Sequence, residues 1–195
     1  MNKLIGICGN AGAGKDCVAS FLIKEKGYLK TSFASPLKDA VAAIFNWDRE
    51  LLEGITDSSR KFRETKDEYW SNVFGVHITP RYILQFFGTE VCRNNLHKDI
   101  WIKSLINKLS NSSEKIVISD VRFINEASAI KEMGGYILFI DRNNLAEQYN
   151  HSSELDIKEI GENYSDYIIH NHSTLDNYYS NINSWYLKEI EKNGI

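Results

Sequence analysis

Leu4-Ile5-Gly6-Ile7-Cys8 is an apolar run that leads straight into Gly9-Asn10-Ala11-Gly12-Ala13-Gly14-Lys15-Asp16. A helical pattern carrying Val18, Phe21 and Leu22 follows at once. Strand, glycine-rich turn, lysine and helix in this order predict a phosphate-binding loop. Its glycines let successive backbone N–H groups turn inward around phosphate oxygens, and the helix start adds partial positive charge. Lys15 brings a full charge to the outermost phosphate, so a nucleoside triphosphate is the expected ligand. The pattern asks for Ser or Thr after the lysine, and this chain has Asp16. A carboxylate is also a hard oxygen ligand, which assigns Asp16 to Mg²⁺, directly or through water.

Outward from the loop, strand-like runs alternate with helical patterns, as in a parallel sheet covered on both faces. Five strands are expected: 4–8, about 28–33, 115–119, 136–140 and 166–170. Ser35-Pro36 and Thr79-Pro80 each read as a cap followed by proline at the first helical position. The second of these helices is expected to stop at Phe87, before Gly88. The stretches 46–78 and 143–163 lack a clear period and read as lids over the loop end of the sheet.

The chain has 195 residues, with 43% hydrophobic and 25% charged residues and a net charge of −3. This suits a single domain of 1–195 and offers no basic stripe for nucleic acid. Cys8, Cys17 and Cys92 lack metal-ligand spacing and read as reduced thiols of a cytoplasmic protein. The chain opens on a strand without a signal peptide, and no apolar run approaches membrane-spanning length.

Asp120 and Arg122 follow an apolar strand, where open parallel sheets place ligand residues. A guanidinium beside a carboxylate there suits phosphate recognition. Arg49, Arg60, Arg63, Arg81 and Arg93 concentrate in or beside the 46–78 stretch, as a second anion would require. Gln85, one turn after Arg81, offers an amide to a base edge. His151 and Glu154 have no partner at metal-ligand spacing, so no metal centre is assigned to them. No Ser-His-Asp arrangement is evident, which fits transfer to an already anionic oxygen.

With Ser32-Phe-Ala-Ser-Pro-Leu-Lys38, Thr79-Pro-Arg81-Tyr-Ile-Leu-Gln85-Phe-Phe-Gly88-Thr89-Glu90, Ser119-Asp120-Val-Arg122-Phe, His151-Ser-Ser-Glu154 and Asp166-Tyr-Ile-Ile-His-Asn171 assembled, the chain resembles the bacteriophage-type deoxynucleoside monophosphate kinases. That family also carries Gly-Lys-Asp in its loop. The resemblance spans nearly the whole chain and implies a P-loop kinase fold, α/β, with an acceptor-binding insert at 46–90 and a lid at 142–163. It implies ATP and Mg²⁺ as cosubstrates and a deoxynucleoside monophosphate as acceptor, in the cytoplasm (of a host cell if the source is viral), with a homodimer left open. Asn10, Ala11, Gly12, Ala13, Gly14, Lys15, Asp16, Cys17 and Asn171 would hold the nucleotide. Lys38, Arg63, Arg81, Gln85, Thr89, Trp101, Asp120, Arg122 and Glu126 would form the acceptor side. Lys15, Asp16, Arg122 and Arg142 would be catalytic, and Asp16 and Asp120 would hold the metal. Arg60 is close enough to replace Arg63, and Lys158 is the only cation in the lid after Arg142. A phosphomevalonate-kinase-like enzyme, similar in its loop and its Asp-x-Arg strand end, and a non-catalytic nucleotide-binding module are the competing readings. A regulatory GTPase does not fit, because Asn107-Lys108 is followed by Leu-Ser.

Overall fold

The computed structural model describes residues 4–10, 12–110, 112–142 and 152–192. They form two compact units, Met1–Ser32 with Lys108–Ile195, and Phe33–Asn107. The first holds one five-stranded parallel sheet, β1 (Leu4–Cys8), β2 (Leu29–Thr31), β3 (Ile116–Val121), β4 (Tyr136–Asp141) and β5 (Tyr167–His170), in the order β2-β3-β1-β4-β5. All five expected strands are present. β1 is central and wholly buried, which is why it reads as a continuous apolar run rather than an alternating one.

Helix α1 (Lys15–Lys26) leaves the loop and stops at Gly27, whose φ of 70° suits the left-handed cap. Asp16 in its first turn and Lys24 and Lys26 in its last match the helix dipole. Val18 and Leu22 share a core with Ile5, Ile7, Leu138, Ile140, Ile182 and Trp185. Those last two residues come from a late helix, Leu175–Trp185, which a π-helical turn extends over Tyr186–Glu191.

The second unit encloses the 46–90 stretch and extends it on both sides. It opens with α2 (Ser35–Phe45), whose cap is Ala34 rather than the expected Ser35, so that Pro36 falls at the second helical position. The next segment departs from the sequence reading. Residues 46–78 are not irregular but hold α3 (Asp57–Glu64) and α4 (Glu68–Phe74). Each is seven or eight residues long, too short for a helical period to emerge, and each is started by a cap. Thr56 and Ser59 close a reciprocal capping pair, and Asp67 accepts from the Trp70 N–H at 2.9 Å. Phe45 and Trp47 belong to this unit's core, with Phe62 and Trp70 packed against it, whereas Tyr69 and Phe74 are exposed. Phe45 stacks on Trp47, and Trp70 packs edge-on against Phe45. The Trp47 and Trp70 indoles donate to Asp67 Oδ2 and the Phe45 carbonyl at 2.7 and 3.0 Å.

α5 (Pro80–Phe86) begins at the Thr79 cap, but Gly88 does not end it. A π-helical segment, Phe87–Arg93, carries the coil through the glycine. A Cβ at Gly88 would press on Leu37, so its small size serves packing rather than termination. α6 (Ile100–Leu109) follows, and α7 (Ile124–Glu132) joins β3 to β4. Of the 143–163 stretch, residues 143–151 lie outside the described residues, and Ser152–Asn163 is not irregular but a helix, α8, with Ile157 and Ile160 buried. The Leu175–Trp185 helix is α9. Among the described residues no helix is long and apolar enough to cross a membrane.

Candidate active site

The carboxyl end of β1 opens into the glycine-rich loop, at the point where the chain must choose a side of the central strand. Crevices of this kind hold ligands in open α/β sheets. The loop's carbonyl oxygens are tied down one after another. Lys15 Nζ donates to the Gly9 and Asn10 carbonyls at 2.6 and 2.8 Å. Arg142 donates to Gly12 at 2.9 Å, Asn171 Nδ2 to Ala13 at 2.9 Å, and the Tyr178 hydroxyl to Gly14 at 3.1 Å. The Ala13 N–H closes a turn onto the Asn10 carbonyl at 3.1 Å, and carbonyls held in this way suit a loop that turns its other N–H groups toward an anion. Ala11 lies outside the described residues.

Gly14 caps α1 with no side-chain hydrogen bond, so the helix start is open to a phosphate. Its φ is 107°, and an added Cβ would meet Asn171 Nδ2 at 2.7 Å and Tyr178 at 3.1 Å. Glycine is therefore required there on both counts. Tyr178 is buried at 1% exposure on the first turn of α9 and was not singled out from sequence, because nothing in its local pattern points to a loop over 160 residues away. Burial pushes its phenol up, opposed by Arg142, so it stays a neutral donor.

Lys15 is pushed down from the usual ammonium range, first by burial and then by the Arg122 guanidinium. Cys8, Asp16 and Asp120 act the other way. Two cations forced together beside a helix start form a site that an anion completes. Asp16 is exposed in the first turn of α1, and Cys17 is half-buried behind it. The neighbouring Cys8 thiol is pushed up to about 12 by burial, which leaves it an inert packing group.

Asp120 belongs to β3 rather than following it. Gly6 pairs with Ile118 and Cys8 with Val121, so β3 carries one extra residue against β1 there. Such a bulge re-aims side chains at a strand end, and it places half-buried Asp120 and exposed Arg122 where the strand approaches the loop. Glu126, expected on the acceptor side, is buried at 6% exposure. Its Oε2 accepts from the Arg122 and Phe123 N–H groups at 2.9 and 3.3 Å, so it positions the segment bearing Arg122.

Within the second unit, Arg63, Arg81 and Lys38 belong to one charged network. Lys38 Nζ lies 2.7 Å from Glu53 Oε2, Arg49 bonds both Glu53 and Asp39, and Arg81 pairs with Glu64. Arg63 is half-buried, and its guanidinium is pushed down by burial and then by Arg81. Its Nε is buried and finds no hydrogen-bond partner among the described residues. Gly54, at φ 71°, makes room for it, since a Cβ there would overlap Arg63 Nη1. Arg60, by contrast, is two-thirds exposed on Asp57. Gln85 and Thr89 are exposed on the same coil as Arg81, whereas Trp101 is buried and donates its indole N–H to the Gly88 carbonyl at 3.0 Å.

His151 lies outside the described residues. A different group passed unnoticed in the sequence: Asp141, His170 and His172 gather at the ends of β4 and β5. Histidines two apart at a strand end are its only sequence trace.

The model of the deoxynucleotide monophosphate kinase family matches residues 53–182. A protein of Acanthamoeba polyphaga mimivirus that carries the same family name is 39% identical over 193 residues, covering 92% of this chain and 93% of the relative. A deoxynucleoside-5'-monophosphate kinase of Escherichia phage T5 is 27% identical, over 68% of this chain and 73% of its own. A deoxynucleotide monophosphate kinase of Enterobacteria phage T4 is 22% identical over 92% and 97%. Phosphate loop, β3 end and flanking cations lie on a chain matched along nearly its full length, and the chain belongs to the deoxynucleotide monophosphate kinase family.

Proposed function

We propose that this protein transfers the terminal phosphoryl group of ATP, with Mg²⁺, to the phosphate of a deoxynucleoside monophosphate. The observation that carries it is the loop whose described carbonyls are all tied back, set against the crowded cations Lys15 and Arg122. Lys15 leaves its loop carbonyls for the phosphates, and Arg122 takes up charge on the transferring group. Asp16 and Asp120 are the hard oxygen donors that suit Mg²⁺, and both act electrostatically on Lys15. Bound there, the ion neutralises phosphate charge. Arg63 and Arg81 take the acceptor's phosphate, and Gln85 reads its base. No protein base is needed, because the attacking oxygen is already anionic. The partners are two nucleotides, with no role for nucleic acid or membrane. The three free cysteines fit a reducing cytoplasm.

The test is ADP release measured with each deoxynucleoside monophosphate in turn. Deoxynucleotide-dependent turnover supports the reading; ATP hydrolysis indifferent to any of them sinks it. Gln85→Ala is expected to reorder the accepted bases without uniformly weakening them, because an exposed amide contributes discrimination rather than fold. An unchanged ranking would remove Gln85 from base recognition. Asp16→Asn is expected to raise the Mg²⁺ concentration at half-maximal rate several-fold, since an amide oxygen is a weaker ligand. A lower rate at unaltered Mg²⁺ dependence would instead assign Asp16 to nucleotide orientation.

A further inference from the structure

β4 and β5 end side by side, and their register sets Asp141 directly opposite His170. His170 Nδ1 lies 2.8 Å from Asp141 Oδ2, and His172 Nε2 lies 3.3 Å from the same oxygen. All three donor atoms fall within 4.8 Å of one another, and the two rings sit 5.4 Å apart. An ordinary carboxylate–imidazole pair needs one histidine. Here two converge on one oxygen, each through a ring nitrogen that can serve as a ligand.

The spacing suits a small cation. Bonds of about 2.0–2.1 Å to zinc place tetrahedral ligand atoms roughly 3.3–3.4 Å apart. The His172–Asp141 separation already meets that, the His170–Asp141 separation is about half an ångström short of it, and the two ring nitrogens lie within 4.8 Å of each other. Two imidazoles with one carboxylate favour ions of the zinc, cobalt and nickel kind, whereas Mg²⁺ takes oxygen ligands. All three side chains are open to water, which completes the coordination.

The same strand ends serve the phosphate loop. Asn171, between the two histidines, donates its N–H to the Asp141 carbonyl at 2.7 Å and its side chain to Ala13. Arg142, next to Asp141, donates to Gly12. We propose that Asp141, His170 and His172 bind one zinc-class ion, apart from the Mg²⁺ of phosphoryl transfer. The ion clamps the ends of β4 and β5 and so holds Asn171 and Arg142 under the loop. It is a structural clamp, with no step of the reaction passing through it.

The test titrates Zn²⁺ alone into the full chain by calorimetry, in excess Mg²⁺. One equivalent is expected in the wild type, with a dissociation constant below about 10 μM. His170→Ala, His172→Ala and Asp141→Asn should each weaken it at least about tenfold. Asp16→Asn should leave it intact. All three ligands are surface groups, so far-UV circular dichroism should show each variant folded. Co²⁺ should develop the intense visible bands of a low-coordinate site in wild type and lose them in His172→Ala. Zn²⁺ should raise Tm in wild type and not in that variant. Two outcomes overturn the proposal. One is no stoichiometric binding in excess Mg²⁺. The other is binding that all three ligand variants leave intact, which would move the ion to the cysteines or the phosphate loop.

Discussion

Lys15→Met is expected to lower kcat by about a hundred- to a thousandfold, the scale of one lost charge-assisted contact to a developing oxyanion. The side chain rests on the Gly9 and Asn10 carbonyls, so its ammonium is already inside the loop and needs only to turn toward the phosphate. Stability should hardly suffer. The native environment disfavours the charged lysine through burial and through Arg122, so removing the charge relieves a penalty while giving up two hydrogen bonds. Single-turnover rates alongside thermal unfolding separate the two effects. A folded Lys15→Met protein that turns over near the wild-type rate would take the loop out of the chemistry.

Arg122→Ala is the second large expectation, at roughly a hundredfold or more in kcat/KM. Arg122→Lys should recover only part of it, because an ammonium cannot present the planar fork of a guanidinium to phosphate oxygens. Arg122 is exposed, so truncation opens no cavity, and its backbone N–H remains held by Glu126. Nucleotide affinity measured without acceptor should move little, since the loop's own donors are untouched. Equal losses in ATP binding and turnover would mean that Arg122 grips the donor rather than the transferring group.

Both residues were visible in the sequence for the same reason: each follows a buried strand whose apolar run announces itself. β1, β3 and β4 pack on two faces, and that physics writes long unbroken hydrophobic stretches. Short helices write nothing so plain. α3 and α4 were legible only through Thr56, Ser59 and Asp67 at their starts, and α8 is polar enough to pass for a loop. The β3 bulge comes from a register that no single-strand pattern encodes. Trp101 and Glu126 show the opposite limit. Their residue types suit a ligand, but the fold occupies them with Gly88 and with the N–H groups of Arg122 and Phe123. Tyr178 and the Asp141, His170 and His172 group are long-range gatherings, and only a folded chain brings them together.

The strand order also bears on the birth of the molecule. β1 leaves the ribosome well before its two neighbours, β3 and β4, which begin at Ile116 and Tyr136. Until more than a hundred further residues have been made, this most apolar strand has no partner to hydrogen-bond. Phe33–Asn107, by contrast, is contiguous and carries its own aromatic core, so its contacts can close while the chain is still growing. The loop held by Asn171 and Tyr178 is completed later still, because both residues follow β4 in the chain. A nascent chain arrested before them would carry the whole Gly9–Asp16 motif without the donors that tie back Ala13 and Gly14.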